Sequence, residues 1–139
     1  IIVGFLVLFT SLIFTDITVQ NVPLTLFVVV MTAFLFSIAG FLNALFADNF
    51  DDINIVPTFI LTPLIYLGGV FYSVELLSNT WQIVSKANPL LYMVNAFRYG
   101  MIGVSDINVH FALLMIIIFI IAFFLLAYYL LKKGYGIRS

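Results

Sequence analysis

Residues 111–131 read FALLMIIIFIIAFFLLAYYLL, with no charge among them. As a helix this stretch covers about 32 Å at roughly 1.5 Å per residue, and a bilayer's hydrocarbon core is about 30 Å thick. A helix apolar on every face has no side to turn toward water, so it calls for lipid. The span is expected at about 108–131. Downstream lies Lys132-Lys133-Gly134-Tyr135-Gly136-Ile137-Arg138-Ser139, with three basic residues, preceded by Tyr128 and Tyr129 as an interfacial aromatic anchor. The positive-inside rule puts this tail, and so the C-terminus, in the cytoplasm.

The rest of the chain has the same character. Of its 139 residues 65% are hydrophobic and 8% charged, against about a quarter charged in a soluble domain. That composition excludes a soluble globular domain. The absence of cysteine excludes a disulfide scaffold. Five basic against six acidic residues leave no basic footprint, so nucleic acid is not an expected partner. The expected fold class is an all-α, polytopic membrane protein, with the lipid bilayer as its medium.

Three further spans are expected. Residues 1–14 are apolar but reach only about 21 Å, so they fit a span whose beginning lies before Ile1. Residues 15–23 form a short polar loop. Residues 24–47 carry no charge and end at Asp48. The turn Asp48-Asn49-Phe50-Asp51-Asp52 is acidic. Residues 53–74 are again uncharged, but Pro57, Pro63 and Gly68-Gly69 predict a kinked or broken helix. Residues 75–106 are too polar and interrupted for a simple span. Asn88-Pro89 opens a helix of about 14 residues and Gly103 closes it. Leu90, Val94, Phe97 and Met101 make one apolar stripe on it, with Tyr92, Asn95 and Tyr99 on another face. A second short helix is expected over 76–85 around Trp81. Two short helices between two spans suggest a re-entrant or interfacial hairpin on the outer side. The reading is therefore about four transmembrane helices plus that hairpin, all part of one transmembrane domain over 1–139.

Catalytic chemistry has no foothold. There is one histidine, His110, at the head of the last span, and no Ser-His-Asp set or glycine-rich phosphate loop can be assembled. Asp48, Asp51 and Asp52 read as a solvated turn rather than a metal site. No metal site and no catalytic residue are expected. Every charge falls at a span edge or in a loop, which disfavours a proton-coupled carrier or voltage sensor.

Two groups of residues stand out as candidates. Phe59, Thr62 and Tyr66, with Pro63 and Val70, share one helical face. Hydroxyls on an aromatic face suit a wall along an amphipathic substrate path, and equally suit helix packing with Gly68-Gly69 allowing close approach. Ser37, Gly40, Asn43 and Ala44 make a small, polar seam on span 24–47, read as packing. The second group is Tyr92, Asn95 and Arg98 in the outer hairpin. Arg98 reads either as a substrate or gate residue, or as a partner of Glu75 or Asp106 or of lipid headgroups.

These residues also carry a resemblance. ADNFDDIN at 47–54, PTFILTPL at 57–64 and LGGVFYS at 67–73 resemble the membrane subunit of type-two ABC exporters, close to bacterial inner-membrane permeases of the YadH kind. The likeness continues through Trp81, Asn88-Pro89-Leu90, Tyr92-Met93-Val94, Phe97-Arg98-Tyr99-Gly100 and the ending GIRS. It implies a six-span permease subunit with both termini cytoplasmic, of which this chain is the C-terminal half. It implies a homodimer seated on ATP-binding cassette subunits, with ATP and magnesium on those partners, and no cofactor and no enzyme activity in this chain. It implies alternating access, with the fifth span lining the path and the hairpin closing its outer end. That moves Phe59, Thr62 and Tyr66 toward a path-facing role. The main coupling helices of such subunits precede the third span and fall outside this chain. Two rival readings are a cassette-independent channel or secondary carrier, and a membrane anchor without a path. The resemblance names no substrate.

Overall fold

A computed structural model describes residues 2–14, 18–47 and 49–134. Among these the chain is helical, in the order α1 (Ile2–Phe14), α2 (Val22–Phe46), α3 (Phe50–Ile53), a π-helical turn (Val56–Leu61), α4 (Thr62–Leu67), a 3-10 turn (Val74–Leu76), α5 (Asn79–Lys86), α6 (Pro89–Ile102) and α7 (Val109–Lys132). Two helices, α2 and α7, are long and apolar enough to cross a membrane. Their limits lie within two residues of the expected spans.

The cap chemistry explains several boundaries. Asn21 Oδ1 accepts the Leu24 N–H at 3.0 Å, and Pro23 stands in the first turn of α2, where no backbone donor is needed. Asn108 Oδ1 accepts from His110 and Phe111 N–H at the head of α7. Asn88 caps α6, and Gly103, at φ 73°, closes it in the left-handed conformation that glycine adopts without strain.

The core is a three-helix contact. Val28 and Leu35 of α2, Leu91, Tyr92, Met93 and Ala96 of α6, and Ala112, Ile116 and Ile120 of α7 are buried together. Ala96 and Ala112 are fully buried, and their small side chains let α6 and α7 approach closely. At the far end α2 and α7 continue without α6, packing Leu42 against Ala127 and Leu130. The long helices therefore run parallel, and α6 runs antiparallel between their N-terminal halves.

α6 is also joined to the entry of α2. Gly100 O accepts the Asn21 N–H at 2.9 Å and Met101 O accepts the Gln20 N–H at 3.1 Å. These carbonyls lie in the last turn of α6, where no intrahelical donor remains. Gly100 makes the approach possible: a Cβ there would stand 2.5 Å from Thr25 Oγ1 and 3.1 Å from Thr25 N.

The expected span 53–74 is not one continuous helix. Its continuous helical part, 55–67, covers about 20 Å, short of a bilayer core. Pro57 opens the π-helical turn. The Thr62 N–H reaches back five residues to Pro57 O, and the Thr62 hydroxyl donates to the same oxygen at 3.2 Å. Pro63 brings no N–H of its own, so the ladder cannot resume normally until later. α4 then stops at Gly68, and Gly69 turns the chain away at φ 73°. α1, at 13 residues, is likewise short, about 20 Å.

The apolar stripe expected on α6 is not its packed face. Leu90 is buried, but Phe97 is exposed and Val94 and Met101 are half-buried. The packed face is the one holding Leu91, Tyr92, Asn95 and Ala96. Inward polar groups are tolerated there because each finds a partner, as described below.

In α5, Gln82 is half-buried and its amide donates to Leu77 O at 2.9 Å, and Ser85 is fully buried. Trp81, Ile83 and Val84 are exposed, Ile83 at 68%, together with Asn79, Thr80 and Lys86, so the outward side is a mixed one with an apolar patch.

Candidate functional site

The first candidate group, Phe59, Thr62 and Tyr66, does lie on one face of the broken segment. That face points away from α2 and α7: Phe59 is 72% exposed and Tyr66 57%. The opposite face, with Val56, Ile60 and Leu64, borders an apolar groove of about 470 Å³ against Ala39, Gly40 and Asn43 of α2. Tyr66 is fixed locally. Its carbonyl accepts the Tyr72 hydroxyl at 2.6 Å, and its ring leans on Phe71 at 5.8 Å. Phe59, Thr62 and Tyr66 thus form an exposed aromatic and hydroxyl-bearing face, whose contacts among the described residues are local to the segment and its linker.

The seam on α2 behaves differently from a packing seam. A Cβ at Gly40 would meet nothing within 4 Å, so this glycine borders the groove instead of a neighbouring helix. Asn43 is the seam's working member, donating to Ile53 O at 2.8 Å and tying α2 to the end of α3. The acidic turn forms a cap: Asp52 Oδ2 accepts the Asn49 N–H at 3.0 Å. Asp48 lies outside the described residues.

The second group is brought together around one carboxylate. Arg98 Nη1 reaches Asp106 Oδ2 at 3.2 Å, with the two side chains 22% and 11% exposed. Of the two acidic partners named from the sequence, Asp106 is the one used. Arg98 Nη2 donates to Gly69 O at 2.6 Å, and the Val74 N–H donates to Asp106 Oδ2 at 3.3 Å. Asn95, fully buried, accepts the Asp106 N–H at 2.8 Å and donates to Leu91 O at 2.9 Å. Tyr92 stands one turn away. Its hydroxyl donates to Lys86 O, and its ring meets Phe111 edge-on at 5.9 Å and Phe119 at 6.2 Å on α7.

Sequence reasoning missed two members of this network. Asn88 reads as a cap from its place before Pro89, and its Oδ1 does accept the Leu90 N–H at 3.0 Å. Its Nδ2 also donates to Leu64 O, 24 residues back, at 2.6 Å. Gly69 contributes a carbonyl, which no side-chain pattern announces. Leu64 O lies in the last turn of α4 and Gly69 O just past its end, where carbonyls lose their intrahelical donors. The break in the segment is the signal that such donors must exist elsewhere, and α6 supplies them from Asn88 and Arg98.

A second apolar groove, of about 660 Å³, lies between α2 and the exposed stripe of α6, bordered by Val28, Thr32, Val94, Phe97 and Met101. Phe59, Thr62 and Tyr66 line neither groove.

Comparison with known proteins gives this geometry a family. Residues 1–102 match the model of the ABC-2 type transporter family. Over 137 residues, 99% of this chain, the sequence is 47% identical to the inner membrane transport permease YadH of Escherichia coli K12, covering 54% of that protein. It is 28% identical to nodulation protein J of Neorhizobium galegae over 93 residues, 66% of this chain and 36% of that protein. The chain thus spans about half the length of the YadH permease it matches. No solved structure matches it. With a family match over most of its length and 47% identity to a transport permease along 99% of this chain, the chain belongs to the ABC-2 type transporter family.

Proposed function

We propose that this chain is part of the membrane-spanning permease subunit of an ATP-binding cassette exporter in a bacterial inner membrane. The observation that carries this is the 47% identity to an inner membrane transport permease along 99% of the chain. In this reading two copies of the permease form a path and sit on two ATP-binding cassette subunits. Those subunits bind ATP and magnesium and hydrolyse the nucleotide. The permease does no covalent chemistry and alternates between inward-open and outward-open states.

The pieces fall into place as follows. α2 and α7 are two of the full spans, α1 is part of another, and the broken segment 56–67 is the path wall. The face of Phe59, Thr62 and Tyr66 turns to the path and the second copy, in keeping with its exposure. Residues 74–102 form the outer hairpin, and Tyr92, Asn95 and Arg98 hold its gate. The exposed apolar patch of Trp81, Ile83 and Val84 on α5 supports a hairpin that touches the apolar layer. The basic residues Lys132 and Lys133 support a cytoplasmic C-terminus.

The test is affinity purification of the complete protein in mild detergent. An ATP-binding cassette subunit should come with it in equal amount and with ATPase activity. Recovery of the permease alone, still moving solute across vesicles without ATP, would replace this reading by a channel or secondary carrier.

A further inference from the structure

The linker between α4 and the outer hairpin, residues 69–74, is held at both ends by one ion pair. At its start, Gly69 O accepts from Arg98 Nη2 at 2.6 Å. At its end, the Val74 N–H donates to Asp106 Oδ2 at 3.3 Å. Arg98 Nη1 meets that same oxygen at 3.2 Å, closing a ring Gly69–Arg98–Asp106–Val74. Both charged residues ride on one body: Arg98 on α6, and Asp106 in the loop to α7, pinned through its own N–H to Asn95 Oδ1.

Between these anchors the linker has little packing to hold it. Val70 and Phe71 are exposed, and the Tyr72 hydroxyl returns to α4 itself. Val74 is buried in the core and Gly69 is buried too, so packing fixes the two ends of the linker together with the polar bonds, and the middle is held by neither. The planar guanidinium presents two arms at a fixed angle, and each arm serves a different partner. The two charged side chains keep 22% and 11% of their surface exposed.

We propose that Arg98 and Asp106 form a releasable clamp on the 69–74 linker, setting the angle between the broken segment and the outer hairpin. Clamped, the two elements are held in the arrangement described above. Released, the broken segment keeps its tie to α6 through the Asn88 bond to Leu64 O, pivots about that tie, and changes the shape of the outer end of the path. Arg98 and Asp106 are thus positioning residues. The clamp deepens the permease reading and rests on it for the meaning of the motion, but not for the motion itself.

The test measures that angle. Spin labels on Thr58→Cys and Ile83→Cys, in the complete protein with any other cysteine replaced, report the distance between the broken segment and α5 in liposomes. The intact pair should give one dominant distance. Asp106→Asn and Arg98→Lys should each raise a second, displaced population from under roughly a tenth to about half. Asp106→Glu, which keeps the charge, should restore the single distance. An unchanged distribution in both Asp106→Asn and Arg98→Lys, with unaltered melting temperature, would overturn the clamp. So would a disturbance that Asp106→Glu shares equally. Should Asp106→Asn unfold the protein, Arg98→Lys alone decides between these outcomes. ATP and vanadate added to the unsubstituted permease with its cassette partner should produce the same displaced population. If the substitutions shift the distance and ATP does not, the clamp stands and the ATP-driven reading falls. If ATP shifts it and the substitutions do not, the reverse holds.

Discussion

Gly100→Ala is the sharpest probe of how the outer helix meets the first long span. The added Cβ would lie 2.5 Å from Thr25 Oγ1, 3.1 Å from Thr25 N and 3.2 Å from Thr25 Cα. The hydroxyl can rotate away only by giving up its bond to Asn21 O at 2.9 Å. The two backbone atoms cannot rotate at all, so α2 and α6 must part by a few tenths of an ångström. Overpacking of this kind costs about 1–3 kcal/mol. The separation also stretches the Asn21–Gly100 and Gln20–Met101 backbone bonds, each worth about 0.5–1.5 kcal/mol net. Alanine's better helix propensity returns about 1 kcal/mol. The net expectation is a loss of about 1–3 kcal/mol. A double-mutant cycle sharpens it, because Thr25→Ala removes the worst contact and leaves only the backbone ones. Gly100→Ala should therefore be milder in the Thr25→Ala background by about 1 kcal/mol. Stability is read by denaturant titration of the complete protein in a fixed detergent micelle. Unaltered stability in Gly100→Ala, or strict additivity with Thr25→Ala, would refute the close-approach reasoning.

Asn88 serves two masters, so its replacements should rank. Asn88→Ser keeps a cap but leaves Leu64 O without its donor, costing about 1–3 kcal/mol, while Asn88→Asp sets a carboxylate against that carbonyl and should cost more in the same titration. Tyr66→Ala removes an exposed ring from the proposed path face. In the permease with its cassette partner it should alter substrate-stimulated ATPase several-fold more than basal ATPase, and equal effects on both would favour plain packing.

Much of the architecture was legible from composition and caps. The uncharged runs located α2 and α7, and Asn88-Pro89 with Gly103 bounded α6 almost to the residue. Pro57, Pro63 and Gly68-Gly69 announced that the middle segment would break. Hydropathy could not say where its helix would end, because the residues after Leu67 remain apolar while Gly69 reverses the backbone. The packed face of α6 could not be chosen for a related reason. In an apolar environment burial no longer sorts hydrophobic from polar, so Phe97 is exposed and Val94 and Met101 are half-buried while Tyr92 and Asn95 face inward. The Arg98–Asp106 pair was among the partners the sequence offered. The carbonyls that complete the site, Leu64 O and Gly69 O, belong to the backbone and leave no mark in a residue pattern.

The bonds from Gln20 and Asn21 to the end of α6 bear on how the protein is made. Gly100 O and Met101 O, at the end of α6, have no donor in their own helix and take theirs from Asn21 and Gln20. The donors that satisfy them sit some 80 residues earlier, at the mouth of α2, and so leave the ribosome first. Synthesis order thus supplies the receptor before the helix that needs it. The outer helix completes its fold by docking onto a span already in place, and a chain whose α2 mouth is damaged should stall at insertion of α6, presenting it to quality-control proteases as an unfinished end.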